Sequence, residues 1–177
     1  MIELDDYRDF KECRTSLKMT SKDKNSSDAA QFMVESEESV VNFDSATKRY
    51  IRGCGINCTP VKSVDALMVR GEKVLFVEFK NGAADNIDKN SMQAKVVHSM
   101  LTFMAITTKT RDYLRKHAVL ILVYNPKDSS VNKIKKILSK QAGEPLVHLG
   151  LGDFYPHVFG EVYTYTVKEF EEYLTSK

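Results

Sequence analysis

Residues 64–81, VDALMVRGEKVLFVEFKN, decide the fold that this sequence predicts. Two apolar runs flank the polar pair Gly71-Glu72. A Gly-X pair in that position suits a two-residue type II′ turn, the tight connection between antiparallel strands. The segment is therefore predicted to be a β-hairpin, and the rest of the chain can be interpreted from its position relative to that hairpin.

The turn determines which residues of the hairpin lie opposite each other. Arg70 is expected to pair with Lys73 directly at the turn. The same count places Asp65 opposite Glu78, with Cβ atoms roughly 5 Å apart on one face of the sheet. Lys80 lies two residues beyond Glu78 and therefore shares its face. Because like charges opposite each other destabilise a sheet, this pair of carboxylates needs compensation.

A divalent cation between the two carboxylates is the simplest compensation. Asp65 and Glu78 offer oxygen ligands of the kind that Mg²⁺ or Mn²⁺ takes, with positions left for water and a phosphate oxygen. Such a cation lowers the pKa of bound water and stabilises charge at a reacting phosphate. Lys80 could position the attacking water or stabilise the transition state. The alternative is an ordinary Glu-Lys pair facing solvent, but VLFVEFK is apolar on both faces up to Glu78, which indicates a buried strand.

Length and composition are those of an ordinary globular chain. With 177 residues, 42% of them hydrophobic and 28% charged, the chain can bury one sizeable core. A net charge of +2 favours neither nucleic acid nor membrane as a partner. No apolar run approaches the ~20 residues of a membrane span, and the N-terminus lacks the apolar region of a secretion signal. Three cysteines, an odd number, argue against a disulfide framework and favour a cytoplasmic location.

The chain before the hairpin divides into two parts. Residues 1–31 are polar without a sustained period and predict a weakly ordered arm, whereas residues 32–177 are predicted to form a single domain. Residues 35–52 predict a helix that is acidic at its start and basic at its end. Asp44 falls on the apolar face of that helix, together with Val40 and Val41. A carboxylate there is costly unless it is paired or binds something.

Residues 91–107, directly after the hairpin and a polar loop, predict another helix. Gln93 lies on its apolar face, where its amide could orient a water or a metal-bound carboxylate, or reach a DNA phosphate. An equal alternative is a polar residue of the first turn with its amide in solvent. Lys95 and His98 are predicted to lie on another side. The predicted apolar face consists of Val96, Val97, Met100, Leu101 and Met104.

The last part of the chain predicts two strands and two helices. Ala118–Tyr124, AVLILVY, is typical of a central strand that is buried on both faces and reached through a helical crossover. Residues 128–141 predict an amphipathic helix whose basic outer side is either solvated or binds phosphate. Residues 157–166 predict a further strand, and Thr166 with Glu169 predicts a capping box for the final helix.

This order of elements, with D-x12-ExK across the hairpin, resembles the PD-(D/E)xK nuclease superfamily. The resemblance rests on SVDALMVRGEKVLFVEFKNG and covers residues 44–124, roughly half of the chain. It implies an α/β fold with a restriction-endonuclease-like αβββαβ core, in which helices flank a mixed central sheet. It also implies that Asp65 and Glu78 bind Mg²⁺ (or Mn²⁺) and that Lys80 serves catalysis.

The family also suggests further site residues. Members often add an acidic residue from the first helix, which implies Asp44, or Glu37 as second choice, as a metal ligand. Some exonuclease-like branches add a glutamine in the helix after ExK, which Gln93 matches. The sequence departs from the family pattern at two places: Val64 stands where a proline would precede Asp65, and Val97 stands where a tyrosine would complete the glutamine motif.

The resemblance implies a metal-dependent nuclease, with a DNA endonuclease as the leading hypothesis. One alternative is an RNase of the same fold, such as a toxin that cleaves tRNA. Another is a catalytically inactive module that binds nucleic acid or protein. The expected partner is nucleic acid, DNA ahead of RNA, with no membrane association. A homodimer stays an open alternative because family endonucleases often cut both strands as dimers.

Overall fold

The computed structural model of the chain describes residues 2–22, 31–56, 61–81, 88–125, 151–154 and 157–176. The fold is α/β, with helices packed on a mixed, open sheet of six strands that lie side by side in chain order. The first four strands are antiparallel to their neighbours, and the last two run parallel to the fourth. The strands are β1 (Arg14–Ser16), β2 (Ser39–Asn42), β3 (Ala66–Arg70), β4 (Lys73–Lys80), β5 (Ala118–Tyr124) and β6 (Glu161–Thr166).

Six helices are described, together with short 3₁₀ turns at Leu4–Asp6 and Leu151–Phe154. None of the helices in the described ranges is long and apolar enough to cross a membrane. Two strands, β3 and β4, lie between the third and fourth of these helices, where the expected core has three. The helices are α1 (Arg8–Lys11), α2 (Leu17–Thr20), α3 (Phe43–Gly53), α4 (Lys89–Thr107), α5 (Arg111–His117) and α6 (Val167–Thr175).

The predicted hairpin is confirmed as β3 and β4. Arg70 pairs with Lys73, and the register continues to Ala66 opposite Val77. Gly71 has a φ of 54°, a left-handed conformation that glycine adopts without the clash of a Cβ atom. The predicted central strand is confirmed as well, since all seven residues of β5 are buried and the strand runs parallel to β4.

The single helix predicted over residues 35–52 is wrong. Val40 and Val41 lie in β2, and the helix begins only at Phe43. Two physical preferences explain the difference, because β-branched residues favour strands and asparagine is a strong N-cap. The Asn42 side chain accepts a hydrogen bond from the Ser45 amide at 2.9 Å and so starts α3. Glu37 therefore lies outside any helix and is exposed.

The polar segment at the N-terminus contributes to the sheet and to the core. Residues Arg14–Ser16 form the edge strand β1, which pairs antiparallel with β2. Phe10 and Leu17 are fully buried. The sequence pattern did not reveal them, because isolated apolar residues in a polar segment have no period to detect.

Two apolar cores lie on opposite faces of the sheet. Along β4, Val74 and Phe76 belong to the core that α3 and α4 cover, whereas Leu75 and Val77 belong to the core that α6 covers. Side chains alternate between the faces of a strand. Glu78, two residues beyond Phe76, therefore points toward α3 and α4.

Helix α4 is confirmed, but its predicted inner face is partly wrong. Val97 and Leu101, predicted inward, are 37% and 53% exposed. The helix instead buries a mixed set of apolar and small polar side chains. Because the helix is apolar around much of its circumference, hydrophobic spacing alone could not select the correct face. The buried residues of α4 are Met92, Val96, Ser99, Thr102, Phe103 and Thr107.

The end of the described chain agrees with prediction except in its boundaries. β6 begins at Glu161. The capping box of Thr166 and Glu169 at the start of α6 is confirmed. The short helix α5, which the Thr110 hydroxyl caps, was not predicted. The predicted basic helix over residues 128–141 lies outside the described residues.

Candidate active site

Glu78 is the centre of the candidate site. Its side chain is fully buried near the carboxyl end of β4. One carboxylate oxygen, Oε1, accepts from Lys80 Nζ at 2.8 Å and from Lys95 Nζ at 2.7 Å. The other oxygen, Oε2, is buried and has no hydrogen-bond partner among the described residues. A buried carboxylate with one oxygen doubly paired and the other unpaired is unusual, since buried polar atoms are nearly always satisfied.

Asp65 lies beside Glu78, directly before β3. The regular pairing of the hairpin ends at Ala66 and Val77, and the Asp65 amide donates to the Val77 carbonyl at 3.0 Å. The turn predicted that Asp65 pairs directly with Glu78. The regular register ends one residue pair before that position. The Asp65 carboxylate instead accepts a hydrogen bond from the Phe79 amide at 2.8 Å.

The environment of Asp65 opposes its ionisation. Burial raises the pKa of its carboxyl group most, and the charge of Glu78 raises it further. Lys95, the Phe79 amide and Lys80 act in the opposite direction, and the resulting pKa is about 7. The influence of Glu78 indicates that the two carboxyl groups lie close enough to interact, as the hairpin predicted. A cation beside Asp65 would favour the charged form of its carboxyl group.

Lys95 is the site residue that sequence reasoning missed. The helical pattern predicts Lys95 on another side of its helix, yet its ammonium contacts Glu78. Burial lowers the pKa of Lys95, but Glu78 and Asp65 raise it by more, so the side chain stays protonated. The available signal was its spacing, since Lys95 lies three residues after Met92 and four before Ser99, both buried.

Asp44 and Gln93 are the other predicted site residues. Asp44 is in the first turn of α3, where it accepts from Lys48 Nζ at 2.6 Å and from the Ser63 hydroxyl at 3.1 Å. Its charge contributes to the raised pKa of Lys95. Gln93 is half-buried on α4. The described contacts of Glu78 do not include Gln93, and its proposed role stays a prediction.

Helix α4 also holds the segment that leads into Asp65. The buried Ser99 hydroxyl accepts a hydrogen bond from the Val64 amide at 2.8 Å. The residue before Ser99, His98, accepts a hydrogen bond at Nδ1 from the Lys62 amide at 3.3 Å. The same helix therefore positions Lys95 on Glu78 and fixes the backbone next to Asp65.

The donor set fits a magnesium ion. In the described ranges, no three His, Cys, Asp or Glu side chains form a metal-binding group. Mg²⁺, however, commonly takes one or two carboxylates and completes its shell with water and substrate phosphates. Asp65 and the unpaired Glu78 Oε2 supply such a pair of hard oxygen donors.

Comparisons of this chain with protein-family models, with curated proteins and with solved structures give no match. The function of this chain is therefore inferred from the geometry of the site.

Proposed function

We propose that this protein is a metal-dependent nuclease that hydrolyses phosphodiester bonds in DNA, with Mg²⁺ or Mn²⁺ as its cofactor. The observation that carries the proposal is the state of Glu78. Its carboxylate is fully buried next to Asp65, with two lysines on one oxygen and no partner for the other among the described residues. Unpaired buried carboxylate oxygens are costly, and sites that bind a cation are where such a cost is compensated.

The arrangement of elements supports a restriction-endonuclease-like core. Helix α3 precedes the hairpin of β3 and β4, and α4 and α5 then cross to the parallel strand β5. Asp65, Glu78 and Lys80 of the D-x12-ExK pattern all lie on the face of the sheet that α3 and α4 cover. Their position near the end of the central strand β4 is what supports the proposed likeness to the PD-(D/E)xK superfamily.

Each residue of the site has a defined part in this proposal. Asp65 and Glu78 Oε2 would hold the cation. When bound, the cation would lower the pKa of a coordinated water and neutralise charge on the phosphate. Lys80, whose side chain is 32% exposed against 21% for Lys95, is the better placed of the two lysines to donate a hydrogen bond to the attacking water or to a phosphate oxygen. Lys95 would hold the Glu78 carboxylate in its orientation through the 2.7 Å contact with Oε1.

One observation favours an inactive binding module as the second candidate. Asp65, Glu78, Lys80 and Lys95 carry two negative and two positive charges when all are ionised, so the cluster can be neutral without a metal. Buried ion clusters of this kind can be purely structural. The two candidates differ in a measurable way, because only the nuclease requires Glu78 Oε2 to bind a cation.

Cleavage of supercoiled plasmid and of tRNA, each with Mg²⁺ and with EDTA, tests the proposal. We expect plasmid cleavage in Mg²⁺ alone, and a loss on the order of 10²-fold or more in Glu78→Gln and Lys80→Ala. Lys168→Ala, an exposed lysine of α6 on the opposite face of the sheet, is the matched control and should cleave normally.

A second measurement separates metal binding from catalysis. Mg²⁺ should raise the Tm of the wild-type protein and of Lys168→Ala, but not that of Glu78→Gln. If the folded protein cleaves neither substrate and Mg²⁺ leaves its Tm unchanged, the protein is an inactive binding module and not a nuclease. Cleavage of tRNA without cleavage of plasmid would assign the site to an RNase.

A further inference from the structure

An open groove on the surface of α3 is lined mainly by basic side chains. Its volume is about 790 Å³. Four cations and one carboxylate line it, which gives a net charge of +3 (four minus one) for the lining itself. The charged lining residues are Arg8, Asp9, Lys48, Arg49 and Arg52, and Ser45 and Gly53 complete the wall.

Lys48, which lines the groove, connects it to the segment that leads into Asp65. Lys48 contacts Asp44 at 2.6 Å, and Asp44 in turn contacts Ser63, two residues before Asp65. Arg52 lies one helical turn beyond Lys48, so the two cations follow each other at roughly 6 Å along one side of α3. A row of positive charge therefore leads away from the carboxylates of the site.

The cations of the groove differ in how strongly they are already paired. Arg8 and Arg49 both contact Glu12, and Arg49 also contacts Asp9. Arg52 is exposed and makes no ion pair among the described residues. The Arg8–Glu12 pair is exposed and worth little, so a polyanion can compete for that guanidinium group, whereas Arg49 is half-buried in its pairs.

We propose that this groove binds the phosphodiester backbone of a nucleic acid and guides it to the candidate active site. The inference rests on the proposed nuclease function, because the groove would supply a basic contact surface for the substrate of that nuclease. A nucleic acid strand carries one charge per ~3.4 Å of axis. Such evenly spaced negative charges can contact cations that follow one another along a helix. A compact anion would instead need the cations to converge on one point.

The test is the salt dependence of DNA binding in EDTA, where cleavage does not occur. Fluorescence anisotropy of a labelled 20-base-pair duplex is measured between 50 and 300 mM KCl, on the order of the range over which counterion release acts. The proteins are wild type, Arg52→Ala, the double variant Arg8→Ala/Arg52→Ala, Arg52→Lys and the control Lys168→Ala. Thermal melting confirms that each variant is folded.

We expect the slope of log K against log[KCl] to become shallower by about 1 in Arg52→Ala and by about 2 in the double variant. Arg52→Lys and Lys168→Ala should keep the wild-type slope, because the first retains the charge and the second lies on the other face of the sheet. A labelled RNA duplex that responds in the same way would support the same backbone contact and identify RNA as a ligand.

Two results would overturn the inference. One is a wild-type slope in both Arg52→Ala and the double variant Arg8→Ala/Arg52→Ala. The other is displacement of the duplex by polyglutamate as effectively as by unlabelled duplex, which would assign the groove to an acidic protein. Neither result bears on Mg²⁺-dependent cleavage, so the groove and the proposed function can fail separately.

Discussion

Replacing Asp65 by asparagine should stabilise the metal-free protein at neutral and alkaline pH. Asparagine has nearly the same shape, and its side-chain oxygen can still accept the hydrogen bond from the Phe79 amide. It removes only the charge that burial and Glu78 oppose. Residues that bind a cation often destabilise the protein in its absence, and Asp65 has the environment that produces this effect.

The magnitude follows from the pKa of Asp65, which rises from its ordinary 3.8 to about 7 on folding. Between these values the folded chain holds a proton that the unfolded chain has lost. The free energy of unfolding of the wild type should therefore fall as pH rises through this window and level off above pH ~7. At about 1.4 kcal/mol for each tenfold difference in acidity, the total loss is on the order of 4 kcal/mol.

Urea unfolding followed by circular dichroism measures this difference directly. In EDTA, Asp65→Asn and the wild type should have similar stability below about pH 4, where Asp65 is protonated in both the folded and the unfolded chain. The variant should become more stable by up to about 4 kcal/mol at pH 8. Saturating Mg²⁺ should reduce the gap at pH 8 by stabilising only the wild type. A gap that does not change with pH, or a variant less stable than the wild type at pH 8, would refute this account of Asp65.

Three further substitutions test contacts around the site and at the end of the chain. Lys95→Met leaves Glu78 with one lysine and should lower the free energy of unfolding by about 2 kcal/mol. An unchanged urea midpoint would contradict this. Ser99→Ala leaves the buried Val64 amide unpaired and should cost about 1–3 kcal/mol, with slower Mg²⁺-dependent cleavage; a wild-type Tm would show that the bond is dispensable. Thr166→Ala removes the capping box and should cost about 1 kcal/mol by thermal melting, whereas Thr166→Ser should not.

The hairpin and the central strand were predictable because local rules determine them. A two-residue loop suits only a few turn geometries, Gly71 adopts the positive φ that one of them requires, and the turn then fixes the register as far as Ala66 and Val77. The continuous apolar run of β5 has no plausible position except a buried strand. Asp65, Glu78 and Lys80 could be placed on one face from this register alone.

Features that depend on tertiary packing could not be predicted from local sequence rules. Lys95 reaches Glu78 only because α4 turns Ser99 toward the sheet, and the hydrophobic pattern of α4 favoured another face. The boundary between β2 and α3 depends on the capping bond of Asn42. In the sequence, the acidic and basic residues at the two ends of residues 35–52 gave a stronger signal, which indicated one continuous helix. The groove beside α3 also needs Arg8 and Asp9, which come from a segment predicted to be an arm.

The three-residue strand β1 has a consequence for self-association. It pairs with β2 and occupies that edge of the sheet, and its Arg14 is held by Asp5 at 2.8 Å. A short, charged edge strand is a poor template for another chain, whereas the β-branched pair Val40-Val41 behind it would be a good one. Proteolysis or truncation that removes the N-terminal segment would thus leave the backbone of β2 unpaired at the edge of the sheet. We expect the shortened protein to aggregate through this strand while its helices are still folded.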